Sequence, residues 1–253
     1  MSEQLQFDDK RSRGVERTYA TRDIVEQRRA TLEALALRAG ERVIDVGCGP
    51  GYLCAEMAAA GASVVGVDPS PSMLALAEQR GSGVELLQGD ALSLPVEDGS
   101  FDAAVSTQVY EYVADIGGAF AEVRRVLRPG GRLLILDTDW DSIVWHSSDD
   151  ARMERVLRAW DEHLAHPRLP RVLPSLLRDA GFTLRRAEIV PVMNLGYARD
   201  TYSANVLGTI ADFVPGRQGI TPDEVDGWRD DLRSLGDDYF FSLNRYLFVA
   251  EAG

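Results

Sequence analysis

The sequence predicts an α/β fold: a doubly wound, mostly parallel seven-stranded sheet with helical cap insertions. Three observations carry this reading. Short apolar strands alternate with helices from about residue 22 to residue 137, a glycine-rich turn joins the first strand to its helix, and two later helical segments interrupt the alternation. Strands and helices alternating at this pace require a parallel sheet covered on both faces. Right-handed crossovers then leave few topologies.

The elements follow in order. Residues 1–20 are polar and charged and read as a mobile arm or frayed helix, with Tyr19 near its end. Thr21 is placed to cap a helix over 22–39, in which Val25, Leu32, Leu35 and Ala39 recur at helical spacing before Gly40 stops it. Arg42–Val46 reads as the first strand, Tyr52–Ala60 as an alanine-rich helix closed by Gly61, and Ser63–Val67 as the second strand. Ser70 and Pro71 open a helix through Arg80, with Pro71 where its missing N–H costs nothing. Val84–Leu87 and Asp102–Thr107 read as strands, Ala119–Leu127 as a helix ended by Pro129-Gly130-Gly131, and Arg132–Asp137 as the fifth strand. A helix at 171–180, a strand at 183–190 and the apolar segment Tyr239–Ala250 complete the sheet.

The interruptions are 139–170, with a helix near Asp149–Leu164, and 194–237, with helices near Asp200–Val214 and after Thr221. Thr221, Pro222 and Glu224 stand in the order of a capping box. Insertions at the carboxyl ends of strands are where α/β proteins build substrate sites. Without an internal repeat or low-complexity linker, residues 1–253 read as one domain whose cap comprises 1–20, 139–170 and 194–237.

Composition narrows the partners. The 253 residues carry 27 Lys+Arg against 40 Asp+Glu, a formal net charge of −13. A surface that acidic repels phosphate backbones and anionic headgroups, which argues against nucleic acid and membrane partners. Cys48 and Cys54 fall in one short stretch without neighbouring histidines, unsuited to a disulfide or a zinc site, so no metal is expected. The opening MSEQLQFDDKRSR lacks the apolar core of a secretion signal, and the expected location is cytoplasmic.

The informative stretch is Val43-Ile44-Asp45-Val46-Gly47-Cys48-Gly49-Pro50-Gly51, a buried strand leading through alternating glycines into a helix. Glycine allows positive φ and close approach of a ligand, and the helix amino end adds unpaired N–H groups. The spacing is G-x-G-x-G, different from the G-x-G-x-x-G that seats a pyrophosphate, and no Gly-Lys-Ser/Thr follows. Asp68, at the tip of the second strand, can accept from two ribose hydroxyls, or serve as a helix cap or loop carboxylate. Gln88-Gly89-Asp90-Ala91 ends the third strand and offers a carboxylate to an adenine amino group.

Taken together, Val43–Gly51, Val67-Asp68-Pro69-Ser70-Pro71-Ser72-Met73, Gly89-Asp90-Ala91, Phe101-Asp102 and Leu127-Arg128-Pro129-Gly130-Gly131 resemble the ordered motifs of class I S-adenosylmethionine-dependent methyltransferases. The branch they look most like is the small-molecule group that includes the ubiquinone/menaquinone-type C-methyltransferases. The resemblance implies a Rossmann-like methyltransferase fold, S-adenosyl-L-methionine as cofactor and a small-molecule acceptor. It also implies that Asp45, Gly47 and Gly49, with Cys48 and Gly51 in the same turn, line the methionine end. Asp68 would hold the ribose, Pro69 and Met73 would flank the adenine, and Gly89, Asp90 and Ala91 would read its edge. Thr107 and Gln108 would lie near the amino acid portion or the methyl group, and Tyr19 would fold over the cofactor or staple a helix. Where many relatives carry histidines after the fourth strand, this chain has Tyr110-Glu111-Tyr112.

For catalysis the run Asp137-Thr138-Asp139-Trp140-Asp141-Ser142-Ile143-Val144-Trp145-His146 is expected at the pocket mouth. Within it His146 is the candidate general base, in competition with His163 and His166. Trp140 and Trp145 either shape an apolar acceptor site or pack the cap core. The cap's apolar residues, including Leu157, Trp160, Val206, Leu207, Ile210 and Phe213, either close an acceptor pocket or bury against a second copy in a homodimer. The aromatic stretch Tyr239-Phe240-Phe241 through Phe248 reads as sheet core. Rival readings are a dinucleotide-dependent oxidoreductase, disfavoured by the glycine spacing, a nucleic acid methyltransferase, disfavoured by charge, and a relative that binds the cofactor without methylating.

Overall fold

The computed structural model describes residues 16–253. Of the expected arm at 1–20, residues 1–15 lie outside the described part. Eight strands form one sheet in the order β3-β2-β1-β4-β5-β8-β6, with β7 paired to the free side of β8. They are β1 (Arg42–Val46), β2 (Ser63–Asp68), β3 (Glu85–Gln88), β4 (Phe101–Thr107), β5 (Leu127–Thr138), β6 (Val144–Trp145), β7 (Phe182–Leu195) and β8 (Phe240–Ala252). The first five are parallel, whereas β8 runs antiparallel to β5, β6 and β7. The eighth strand relative to the expected seven is β6, two residues that pair Val144 with Ser242 and Trp145 with Phe241.

The helices are α1 (Arg22–Leu35), α2 (Tyr52–Ala59), α3 (Pro71–Glu78), α4 (Ile116–Val126), α5 (Asp150–Trp160), α6 (Leu173–Asp179), α7 (Tyr202–Phe213) and α8 (Pro222–Ser234). Local signals set several of their ends. Ser70 Oγ accepts from the Met73 N–H at the start of α3, and Thr221 and Glu224 complete the capping box of α8.

Helix α1 departs from expectation in two respects. It ends at Leu35, with Ala36 in the left-handed region at φ 48°, short of the predicted residue 39. Its buried face is also rotated: Ile24, Gln27, Arg28, Thr31, Ala34 and Leu35 are buried, whereas Val25 is exposed. The reason is polar contact. Arg28 Nε donates to Glu56 Oε1 at 2.8 Å and its Nη1 to the Tyr19 carbonyl at 2.7 Å. Asp23 accepts from Asn194 Nδ2 and from the Tyr202 N–H. Thr21 Oγ1 donates to the Thr18 carbonyl and makes no cap bond.

Two apolar cores flank the sheet. One holds Ile44, Val46, Phe101, Phe120, Val123, Leu133, Ile135 and Phe248, and the other Leu35, Val43, Met57, Ala103, Val105, Leu134, Leu136 and Leu247. A third core fills the cap. There Trp145 meets Trp228 and Phe241 at ring-centroid distances of 5.5 and 4.9 Å, and Trp160 meets Phe213 at 5.4 Å. Val206, Leu207 and Ile210 from α7 join it, and Leu157 packs at its margin. The cap's apolar residues thus bury largely against each other.

The ladders explain where the cap sits. The last β5–β8 pair is Thr138 with Arg245, yet β8 begins at Phe240 and its partner β7 runs on to Leu195. The β7–β8 pair therefore projects past the carboxyl end of β5. Helices α7 and α8 lie between those two strands in sequence, which places the cap above the carboxyl edge of the parallel strands.

Candidate functional site

The order β3-β2-β1-β4 reverses direction at β1, and a crevice opens where neighbouring connections leave on opposite faces. The glycine turn lies there. Gly47, Gly49 and Gly51 all take positive φ, at 74°, 51° and 74°. Their surroundings differ. A Cβ at Gly47 would come 2.3 Å from Val109 Cγ2, and one at Gly51 would come 2.7 Å from Ala77 Cβ. At Gly49 the nearest atom would be the Tyr19 hydroxyl, 3.8 Å away. Gly47 and Gly51 are thus glycines of tight packing, whereas Gly49 offers space beneath Tyr19.

Two buried acids border this turn. The Gly49 N–H donates to Asp68 Oδ2 at 2.8 Å and the Ser70 N–H donates to Oδ1 at 2.9 Å. Burial raises the Asp68 carboxyl above its ordinary range, against the pull of these two donors. Asp45 is 2% exposed and receives a bond from Cys54 Sγ at 3.2 Å. Burial, with the Asp68 charge adding to it, pushes Asp45 up to about 7. A buried carboxylate with so little donation fits the cationic end of a ligand. Cys48 and Cys54 are free thiols, and Cys48 packs beneath the turn near Gly66.

The remaining expected residues distribute as follows. Pro69 is exposed beside Asp68, and Met73 is buried in the first turn of α3. Gly89 packs tightly against Pro95, Asp90 is exposed with Oδ1 accepting from the Leu92 N–H at 2.8 Å, and Ala91 is buried. Thr107 is half-buried at the end of β4. Gln108 holds the left-handed region at φ 58°, uncommon for a side chain of its size. Thr138 Oγ1 donates to its Oε1 at 2.6 Å, which ties the tips of β4 and β5.

Tyr19 covers the turn from the amino-terminal side. Its ring stacks on Tyr52 at 5.9 Å, and the Arg80 guanidinium lies 3.3 Å from the Tyr52 ring centroid. Arg80 also bonds the Pro50 carbonyl and Glu16, so the described end of the arm is fastened to the glycine turn. Burial, with the Asp45 charge second, raises the Tyr19 hydroxyl to about 12 and keeps it protonated.

Residues 44–135 match a family model described as a methyltransferase domain. An uncharacterized 37.1 kDa protein from a Streptomyces fradiae transposon is 34% identical over 243 residues, covering 87% of this chain and 65% of that one. The demethylmenaquinone methyltransferase of Beutenbergia cavernae is 42% identical over 110 residues, covering 44% of this chain and 46% of its own length. The chain is thus similar to methyltransferase domains over residues 44–135. It spans less than two thirds of the length of either relative. In fold, phosphoethanolamine N-methyltransferase 2 of Haemonchus contortus superposes with a TM-score of 0.63 at 22% identity, over 98% of this chain and 58% of that one.

The histidine expectation is corrected. His146 is exposed at the end of the short edge strand β6, where its N–H donates to the Phe240 carbonyl. The β6–β8 pairing turns Trp145 into the cap core and leaves His146 exposed to solvent. His163 is buried, stacked on Trp160 at 3.5 Å, and burial lowers it to about 3. His166 lies near the surface, its ring 3.4 Å from the Ala114 carbonyl. Both tryptophans of the run belong to the cap core, Trp140 packing on Trp160 and His163.

The structure adds residues that the sequence reading left without a role. Glu111 is 1% exposed, and its Oε2 accepts from the Trp140 indole at 3.1 Å and the Thr138 N–H at 3.3 Å. Its carbonyl accepts from the Ala165 and His166 N–H groups, so Glu111 joins the strand tips to the cap. Asp137 is fully buried. Its Oδ1 accepts from the Val109 N–H at 3.1 Å and its Oδ2 has no partner. Arg245 is 3% exposed on β8. Its signal was present in the sequence: along Phe241, Leu243, Arg245, Leu247 and Val249 it occupies an inward position of an apolar strand.

Proposed function

We propose that this chain transfers a methyl group from S-adenosyl-L-methionine to a small-molecule acceptor. The observation that carries the reading is the Gly49–Asp68 hydrogen bond, which sets a ligand-sized glycine and a buried acid side by side at the switch point of the sheet. The family match over residues 44–135 supports it.

In this reading the Gly47–Gly51 turn with Asp45 holds the methionine end, Asp68 the ribose, and Asp90 with Ala91 the adenine. When bound, S-adenosylmethionine supplies a sulfonium methyl carbon open to displacement by an acceptor lone pair, the sulfur keeping the electrons of the broken C–S bond. The chain's part is then to orient the acceptor in line with that carbon and to exclude water. Tyr19 shields the methionine end, and Glu111 and Thr138 hold the tips of β4 and β5 in place. Any proton lost by the acceptor leaves to solvent or to a nearby carboxylate such as Asp137, since no histidine stands at the strand tips among the described residues.

We read residues 139–170 and 194–237 as the lid of that site within one domain, and the cytoplasm as its location. Among the described residues no helix is long and apolar enough to cross a membrane. The outer edge strand β7 exposes Ile189, Met193 and Leu195, which suits pairing with a second copy in a homodimer. Calorimetry with S-adenosylmethionine and S-adenosylhomocysteine tests the central reading. Binding of both is the expected result, and no heat at high ligand concentration would overturn it.

A further inference from the structure

Arg245 is a buried cation with no carboxylate in ion-pair contact among the described residues; Glu111 and Asp137 act on it only from further off. It is 3% exposed, its Nε has no hydrogen-bond partner, and among the described residues it makes no ion pair. Its guanidinium carbon lies 4.6 Å from the Tyr202 ring centroid. A guanidinium held in this way is costly unless a counter-charge arrives. Of the two acids in its neighbourhood, Glu111 accepts from Trp140 and Thr138, and Asp137 takes the Val109 N–H through one oxygen while its other oxygen has no partner; neither pairs with Arg245.

The position of Arg245 is as telling as its isolation. It stands opposite Thr138 in the β5–β8 ladder, and Thr138 bonds Gln108 at the tip of β4. Tyr19, which covers Gly49, is within electrostatic reach of both Arg245 and Asp45. Tyr202 descends from the cap helix α7, and Tyr112, from the turn after β4, interacts with both Tyr19 and Tyr202. Two phenols from separate elements, Tyr202 and Tyr19, thus lie near one guanidinium between the cofactor turn and the cap, and Tyr112 adjoins both phenols.

We propose that Arg245 anchors the methyl acceptor, and that the acceptor is a small molecule bearing an oxyanion, a carboxylate or phosphate group, received by Arg245 among Tyr19, Tyr112 and Tyr202. A planar guanidinium binds such groups through two parallel N–H donors, and phenol hydroxyls supply further donors at its rim. Methyl transfer then occurs elsewhere on the acceptor, whose charged end is fixed in the pocket. This inference rests on the methyltransferase reading and deepens it.

The test uses the full chain loaded with S-adenosylhomocysteine. Calorimetry measures benzoate, phenyl phosphate and the uncharged benzamide against wild type, Arg245→Gln and Arg245→Lys. The expected result is binding of an anionic probe at least tenfold tighter than benzamide. That preference should vanish in Arg245→Gln and be partly retained in Arg245→Lys, while S-adenosylhomocysteine affinity stays within a few-fold. A stronger response to benzoate or to phenyl phosphate identifies which oxyanion is preferred. Equal binding of the three probes, no binding of either anion, or an anion preference that survives Arg245→Gln would overturn the proposal. Wild-type protein that fails to bind S-adenosylhomocysteine would overturn the methyltransferase reading itself, and the acceptor site with it. Should Arg245→Gln fail to fold, Tyr202→Phe and Arg245→Lys must still weaken the anion selectively, or the proposal fails.

Discussion

The Gly49 N–H donates to Asp68 Oδ2 at 2.8 Å, which ties the turn after β1 to the tip of β2 before any ligand arrives. Asp68 therefore has a structural part as well as the proposed ribose contact, since its other oxygen holds the Ser70 N–H. Asp68→Ala should weaken S-adenosylhomocysteine binding by about 2–3 kcal/mol and also lower the melting temperature, because two N–H groups lose their acceptor. Calorimetry paired with thermal denaturation checks both. A folded Asp68→Ala protein with unchanged affinity would reduce Asp68 to a loop tether.

The three turn glycines should separate by function. At Gly51 a methyl group would meet Ala77 Cβ at 2.7 Å and Cα at 3.1 Å, so Gly51→Ala should destabilise the protein by about 2 kcal/mol or more through overpacking and a left-handed φ. Gly49 has free space up to the Tyr19 hydroxyl, so Gly49→Ala should cost about 1–2 kcal/mol of stability and remove most cofactor binding. Denaturant titrations and binding assays on the two variants give the comparison. Equal binding loss at equal stability loss would contradict the division.

Asp45 supplies a pH signature. Its folded-state value is pushed up to about 7 by burial, above the ordinary 3.8. Between those values the folded protein binds more protons than the unfolded chain, so this group's contribution makes stability fall as pH rises through that window. The buried Glu111, also pushed up to about 7 by burial, acts in the same direction. A ligand cation beside Asp45 favours the ionised form. Cofactor affinity should therefore increase as pH climbs from 6 to 8, with proton release on binding, and Asp45→Asn should flatten the slope. Calorimetry in buffers of different ionisation heat reads the protons. A pH-independent affinity without proton release would show that Asp45 does not face the cation.

Glu111 should act as the link between sheet and cap. Glu111→Ala strands the buried Trp140 indole N–H and the Thr138 N–H and should cost about 2–4 kcal/mol, whereas Glu111→Gln keeps an acceptor and should cost less. Urea unfolding followed by tryptophan fluorescence measures both. A loss below about 1 kcal/mol in Glu111→Ala would deny the link, given the usual cost of orphaned buried donors.

The sequence by itself determined the alternating strands and helices, the glycine turn, the acids at the first three strand tips and the α8 capping box. These are local: a positive φ requires Gly49 wherever the chain goes next, and a capping box closes within four residues. Tertiary structure alone decided the rest. Histidine is a residue type suited to acid–base chemistry, yet the pairing of Val144 and Trp145 with β8 leaves His146 exposed. Arg245 lies in a segment that reads as apolar strand, and only the antiparallel pairing of β8 with β5 sets it against Thr138, with Tyr202 of α7 packed over it. Glu111 and Asp137 are 26 residues apart in sequence (137 minus 111). Their shared burial arises when β4 and β5 end side by side beneath the cap, because the cost of burying charge depends on what the fold places around it.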